Sequence, residues 1–174
     1  MSRAKTIAQF ISESGDNMKT RMTVLTIALC LVAGAVCFAS DAAMANMGTW
    51  KLNEAKSNFA PGATKNSTVV YEATGDMVKV TVDGMTSDGK PAHNEWTGKF
   101  DGKFYPVTGD PNTDERAYKQ VGNLTLHLTI KKSGKVVATG TIVVSADGKT
   151  RTVSITAADS KGMTTKNTAV YDKQ

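Results

Sequence analysis

From Gly48 to the C-terminus the chain alternates apolar and polar residues in short runs, with almost no helical period of three to four. Val78, Val80 and Val82 alternate with Lys79 and Thr81; Leu124, Leu126, Leu128 and Ile130 alternate with Thr125, His127 and Thr129. A period of two sends successive side chains to opposite faces of a strand. Between the runs stand Gly75-Asp76, Ser87-Asp88-Gly89, Asp101-Gly102, Ser133-Gly134, Ala146-Asp147-Gly148 and Ser160-Lys161-Gly162. Gly in such segments supplies the positive φ of a tight hairpin turn. The pattern predicts strands over 48–53, 67–74, 77–84, 91–100, 103–108, 115–121, 123–132, 135–145, 149–158 and 163–172. Connections this short force sequential strands to pair antiparallel. The expected fold is all-β, an up-and-down meander of about 8–10 strands, closed into a barrel because an open meander would expose its edges. The turn Asp-Gly-Lys recurs at Asp88, Asp101 and Asp147 with irregular spacing, which is reused hairpin chemistry rather than a solenoid.

Alternation also assigns faces. Asn94, Trp96 and Phe100 share one face, opposite His93, Glu95 and Lys99. Arg151 is in phase with Val153 and Ile155, an unusual place for a long cation. The run Val136 to Val144 has valines on both faces and no charge, which predicts a covered or central strand. A few polar groups set in an apolar wall is the usual form of a small-molecule site. Trp96, Asn94, Phe100, Val80, Leu126 and Arg151 are therefore the candidate cavity residues. The expected function is a binding module for a small apolar or amphipathic ligand. Volume is the opposing consideration: with Trp50, Trp96, Phe100, Phe104 and Tyr71 all inward, a barrel this small is full. The alternative is a structural or interaction protein of the cell envelope without a small-molecule ligand. Its Thr- and Lys-rich exterior would then meet polysaccharide or protein.

Upstream of the strands the pattern changes. Lys19 and Arg21 follow Met18, an uncharged apolar run extends from about Val24 to Ala39, and small residues end in Ala43-Met44-Ala45. Basic head, apolar middle and A-x-A exit are the parts of a secretory signal, helical while it acts. The run is shorter than the about 20 apolar residues of a membrane span. The expected organisation is a signal peptide over 18–45 and a barrel domain over 46–174, with cleavage after Ala39 as the other exit. Residues 1–17, with Glu13 and Asp16, are unusually polar in front of a signal head; the simplest reading starts translation at Met18, and the alternative is an extended N-terminal leader. Cys30 and Cys37 follow Leu29 and Val36, too large for lipoprotein processing, and leave with the signal. No disulfide then staples the domain, so core burial alone must hold it. The product is expected in the periplasm or outside the cell, away from cytosolic partners and nucleotide cofactors.

Charge and chemistry narrow this further. The formal net charge is +5, but the charges are interspersed and the longest basic run in the barrel segment is Lys131-Lys132. Nucleic-acid binders carry clustered basic stripes with interleaved aromatics, so no nucleic-acid partner is expected. Nucleophilic catalysis commonly needs a Ser or Cys beside a His base. The chain has two histidines, His93 beside Glu95 near a turn and His127 among outward threonines, and no enzyme is expected. Their spacing does not supply the three or four ligands of a zinc site, and His93 with Glu95 is the nearest approach to one. Asp110 to Asp114 lacks the Gly and terminal Glu of a calcium loop. Neither metal nor cofactor is expected, and the domain is read as a monomer.

Gly48-Thr49-Trp50 on the first strand of a meandering barrel resembles the G-x-W opening of lipocalins and related calycins. The resemblance implies that Trp50 plugs the closed end of the barrel against a basic side chain from a late strand. Arg151 suits that role by phase, and Lys173 by position; Asn58 to Asn66 would be the loop over the mouth. The longer opening Gly48 to Ser57, the Asp-Gly-Lys turns and the closing Val170-Tyr171-Asp172 resemble small exported bacterial proteins with a lipocalin-like barrel. That resemblance covers most of the domain and brings an expected fold without an activity.

Overall fold

The computed structural model describes residues 41–158 and 164–174. Every apolar–polar run becomes a strand, because a two-residue period can bury one face only in a sheet. The strands are β1 (Gly48–Leu52), β2 (Lys65–Thr74), β3 (Met77–Met85), β4 (Pro91–Gly98), β5 (Tyr105–Thr108), β6 (Glu115–Gly122), β7 (Thr125–Lys132), β8 (Lys135–Val144), β9 (Thr150–Ala158) and β10 (Thr164–Lys173). A short helix, α1 (Asp41–Asn46), precedes β1, and a 3-10 turn spans Glu54–Lys56. The expected turn at Ser160-Lys161-Gly162 and the part of the expected signal segment before Asp41 lie outside the described residues.

Each strand pairs antiparallel with its sequence neighbour, and β10 returns to β1 with Trp50 opposite Lys173 and Leu52 opposite Tyr171. The result is a closed, lipocalin-like meander barrel of ten strands, which leaves no free edge for another chain to extend. The β7–β8 turn shows how the sequence enforces reversal: Ser133 and Gly134 both hold positive φ, 50° and 75°. Two such residues match the right-handed twist of the flanking strands.

The seam between the first and last strands is tied by side chains as well as by the ladder. Asn53 Nδ2 donates to Asp172 Oδ2 at 2.6 Å, and the Asn53 amide donates to Val170 O at 2.8 Å. Ser57 Oγ donates to Asn53 O at 2.7 Å and accepts from the Val170 amide at 2.9 Å. The opening run ending at Ser57 and the closing Val170-Tyr171-Asp172 are thus two sides of one junction.

The inward residues Trp50, Val69, Tyr71, Val80, Val82, Trp96, Leu126, Leu128, Ile142, Val144 and Tyr171 form one buried cluster. Burial of each large apolar side chain stabilises the fold by about 1.5–3 kcal/mol. Of the two positions expected for the run Val136 to Val144, covered or central, the structure gives the central one. β8 has a neighbour on both sides, but its outer face is uncovered: Val136 is 54% and Val143 42% exposed. Ile130 pairs with Ala138 while Lys131 pairs with Val136, so Val137 is an extra residue in a bulge. The bulge leaves Val137 packed against the core and Val136 exposed. Closure gives every strand two neighbours but shields only its inner face.

Candidate functional site

The barrel interior combines aromatic rings with two buried cations. Trp96, on β4, stacks on Phe100 at 6.1 Å and meets Tyr118 and Tyr105 edge-on at 4.7 and 5.8 Å. Its indole Nε1 donates to Arg116 O at 2.9 Å, which fixes the ring against β6. Gly98 makes room for this group, since a Cβ there would stand 2.5 Å from Tyr105 Cγ and 2.6 Å from Trp96 Cζ2.

Arg116 and Tyr118 are in phase on β6, so both project inward. Arg116 is 7% exposed. Its Nη2 donates to Asn94 Oδ1 at 3.2 Å and its Nη1 to the Tyr118 hydroxyl at 3.5 Å, whereas Nε has no acceptor. Arg151, on β9, is 1% exposed. Its guanidinium carbon lies 5.0 Å from the Trp50 ring, 5.0 Å from Tyr71 and 4.8 Å from Tyr171. Its Nε and Nη1 have no acceptor. Among the described residues the buried polar and charged side chains are Asn46, Asn94, Arg116 and Arg151, with no carboxylate.

The tyrosines do not neutralise this charge. Burial, reinforced by Tyr118, pushes the Tyr71 hydroxyl well above its usual range despite the opposing pull of Arg151 and Arg116. Burial pushes Tyr171 up to about 12, with Arg151 again pulling the other way. Both are neutral donors at physiological pH, so the interior carries the positive charge of two guanidiniums.

Five of the sequence-derived cavity candidates, Trp96, Asn94, Val80, Leu126 and Arg151, are buried on the inner face. Phe100 lies past the end of β4 and is partly buried, yet still stacks on Trp96. Trp50 is fully buried, with Arg151 at 5.0 Å and Lys173 Nζ at 5.1 Å from its ring, and its Nε1 donates to Asn46 O at 2.8 Å. Phe104 is not in the core cluster; Lys131 Nζ covers its ring at 3.5 Å, so it takes up no interior volume. Arg116 escapes the sequence reading, since between Glu115 and Lys119 it looks like a surface charge. Its one signal is the shared phase with Tyr118.

At the barrel rim a cleft of about 740 Å³ lies between the β1–β2 loop and the β3–β4 turn. Phe59, Met85, Lys65 and Glu54 line it, and Phe59 also packs against the core. The loop over this end is shorter than Asn58 to Asn66, because β2 already begins at Lys65. Ala60 N donates to Asn167 Oδ1 at 2.7 Å and anchors it to β10.

The exterior chemistry is self-contained. His93 Nδ1 lies 2.7 Å from Asp83 Oδ1 and its Nε2 lies 4.0 Å from Glu95 Oε1, which pairs with Lys79 at 2.7 Å. The hydrogen bond from Lys79 holds the Glu95 carboxyl below its ordinary range. No group of three or more metal-ligating side chains occurs among the described residues. His127 is exposed on the outer face of β7. Asp110 accepts from the Asn112 amide and Thr113 Oγ1, and Asp114 from Lys132 Nζ and the Ser133 amide, so both serve their loops.

No protein-family model matches the chain, and no curated protein matches it. Among solved structures it is similar to a redesigned β-barrel bound to DFHBI, with 17% identity and a TM-score of 0.41 over 77% of this chain and 100% of the other. A de novo designed fluorescence-activating β-barrel is 17% identical at a TM-score of 0.39, over 77% of this chain and 98% of the other. Lobster apocrustacyanin A1 is 14% identical at a TM-score of 0.37, over 75% of this chain and 62% of that one. Likenesses of this degree carry no functional argument.

Proposed function

We propose that the chain is exported and that its barrel binds a small amphipathic molecule through an acidic group, as a monomer in the periplasm or outside the cell. The observation that carries this is the uncompensated interior charge: two buried guanidiniums, three of whose nitrogens lack an acceptor, and no buried carboxylate among the described residues. An ion taken out of water costs several kcal/mol. Rings that face a cation return roughly 0.5–2 kcal/mol each. The rings around Arg151 offset part of its penalty, and Arg116 has an amide and a phenol. Neither set neutralises the charge. A carboxylate or similar anion would accept from the free nitrogens in the paired geometry that guanidinium favours. Trp96, Phe100 and Tyr118 would receive the apolar part, and the rim cleft beside Phe59 would be its entry. The resemblance to small exported bacterial barrels and the three-part leader support delivery across a membrane. The function is binding without catalysis, since His93 and His127 stand on the exterior away from the charged interior.

One observation favours a contact with the envelope surface instead. Thr129, Thr139, Thr156 and Lys166 form a cross-strand rank on the outer face of β7–β10, beside a second rank of His127, Thr141, Ser154 and Thr168. These ranks border a shallow cleft of about 460 Å³. Polysaccharide hydroxyls could pair with such a surface.

Native mass spectrometry of the protein taken from its own envelope separates the two. A retained acidic small molecule supports the barrel site. A clean apo mass, with tryptophan fluorescence unmoved by long-chain carboxylates, rejects it and leaves the outer face as the functional surface.

A further inference from the structure

We infer that signal cleavage occurs at the Ala39 exit rather than the Ala45 exit, so that α1 stays with the mature protein as the plug of one barrel end. The inference rests on the export reading. The sequence offers two small-residue exits, Cys37-Phe38-Ala39 and Ala43-Met44-Ala45, and the second has the better A-x-A form. The fold points to the first. Ala42 and Asn46 are both 0% exposed. Asn46 Nδ2 donates to Ala42 O at 2.8 Å, and Asn46 O in turn accepts from Trp50 Nε1 at 2.8 Å. Met47 N donates to Met44 O at 3.2 Å, while Ala45 and Met47 pack against the core. α1 therefore seals the end of the barrel where Trp50, Arg151 and Lys173 meet.

Hydrolysis of the Ala45–Asn46 bond would release Ala42 with the leader and leave the Asn46 amide without its acceptor. The same cut would place a new ammonium on a fully buried residue, one indole away from the Arg151 and Lys173 cations. A buried charge with like-charged neighbours is the costly case. Hydrolysis after Ala39 leaves every one of these contacts in place. Cys37 still departs with the leader, so the mature domain remains free of cysteine.

The test is the full chain expressed with its own leader in a bacterial host, recovered from the periplasm or medium, and read by N-terminal sequencing and intact mass. A mature chain that begins at Ser40 is expected. One that begins at Asn46 overturns the inference and leaves export standing, as does an uncleaved chain in the periplasm or medium; a chain retained uncleaved in the cytoplasm overturns export, and the inference with it. A second variant probes the exit without touching the mature domain. Cys37→Trp places a bulky residue where the peptidase accepts small ones, and the mature mass should fall to a small fraction of its normal yield. Cleavage at full yield to a chain beginning at Asn46 would overturn the assignment.

Discussion

Arg116 Nη2 donates to Asn94 Oδ1 at 3.2 Å across the inside of the barrel, and the Nε of the same guanidinium has no acceptor. A neutral amide can orient a cation but cannot neutralise it. Asn94 stands on β4 and Arg116 on β6, with β5 between them, so strand walls hold the pair; in the proposed reading an anion meets the free Nε.

Arg116→Met should separate stability from binding. The variant keeps most of the side-chain volume and removes the buried charge. A buried cation without a counter-charge costs several kcal/mol, so its removal offsets the loss of the Asn94 hydrogen bond. The apo protein should melt no lower than wild type, while affinity for a long-chain carboxylate falls about 10- to 100-fold, as loss of a charged hydrogen bond implies. Thermal denaturation and a tryptophan fluorescence titration report the two effects.

Gly98→Ala should damage the aromatic wall. The new Cβ would meet Tyr105 and Trp96 rings at 2.5–2.6 Å, and neither ring can give way without disturbing the other. Overpacking of this kind costs about 1–3 kcal/mol. Urea denaturation should show that loss, with a shift of the Trp96 emission as the ring moves.

Stability should fall between about pH 10 and 12. Tyr71 and Tyr171 keep their protons in the fold above the pH at which an unfolded tyrosine ionises, near 10. Their contribution is complete below pH 10 and is lost as pH rises toward the folded value, about 12 for Tyr171 and higher for Tyr71. Each raised tyrosine contributes a slope of about 1.4 kcal/mol per pH unit in that window. Urea midpoints of wild type and of the Tyr71→Phe, Tyr171→Phe double variant at pH 9, 10 and 11 check this; the double variant should decline less steeply.

Asp172→Ala should loosen the barrel where its first and last strands join. The substitution leaves Asn53 Nδ2 without its 2.6 Å partner and removes the charge 3.7 Å from Lys56. The expected cost is about 1 kcal/mol. Hydrogen exchange should accelerate in β1 and β10 before it does in β7, which lies far from the seam.

The ten strands were legible because hairpin information is local: Ser133-Gly134 reverses the chain with its own backbone. Strand limits were less so. β4 ends at Gly98 and β5 begins only at Tyr105 because the intervening segment bonds to β6, with Gly102 N donating to Tyr118 O and Gln120 N to Phe100 O. The exposure of Val136 depends on a bulge at Val137, and alternation cannot announce an extra residue. Of the interior site, Arg151 stood out against its apolar phase-mates, whereas Arg116 was hidden by charged neighbours. α1 was hidden more thoroughly, because Asp41 to Asn46 reads as a leader exit until Trp50 is seen bonded to Asn46 O.

In the proposed reading the barrel interior recognises an acidic head group. Titrating the protein with a long-chain carboxylate and with the alcohol of the same chain length tests it most directly, because the two differ only at the head. The carboxylate should bind at least about tenfold more tightly, a difference of about 1.4 kcal/mol, and Arg116→Met should reduce the preference, with Arg151 supplying what remains. Equal affinity for acid and alcohol, or a preference that the substitution leaves undiminished, would rule out the acidic-head reading.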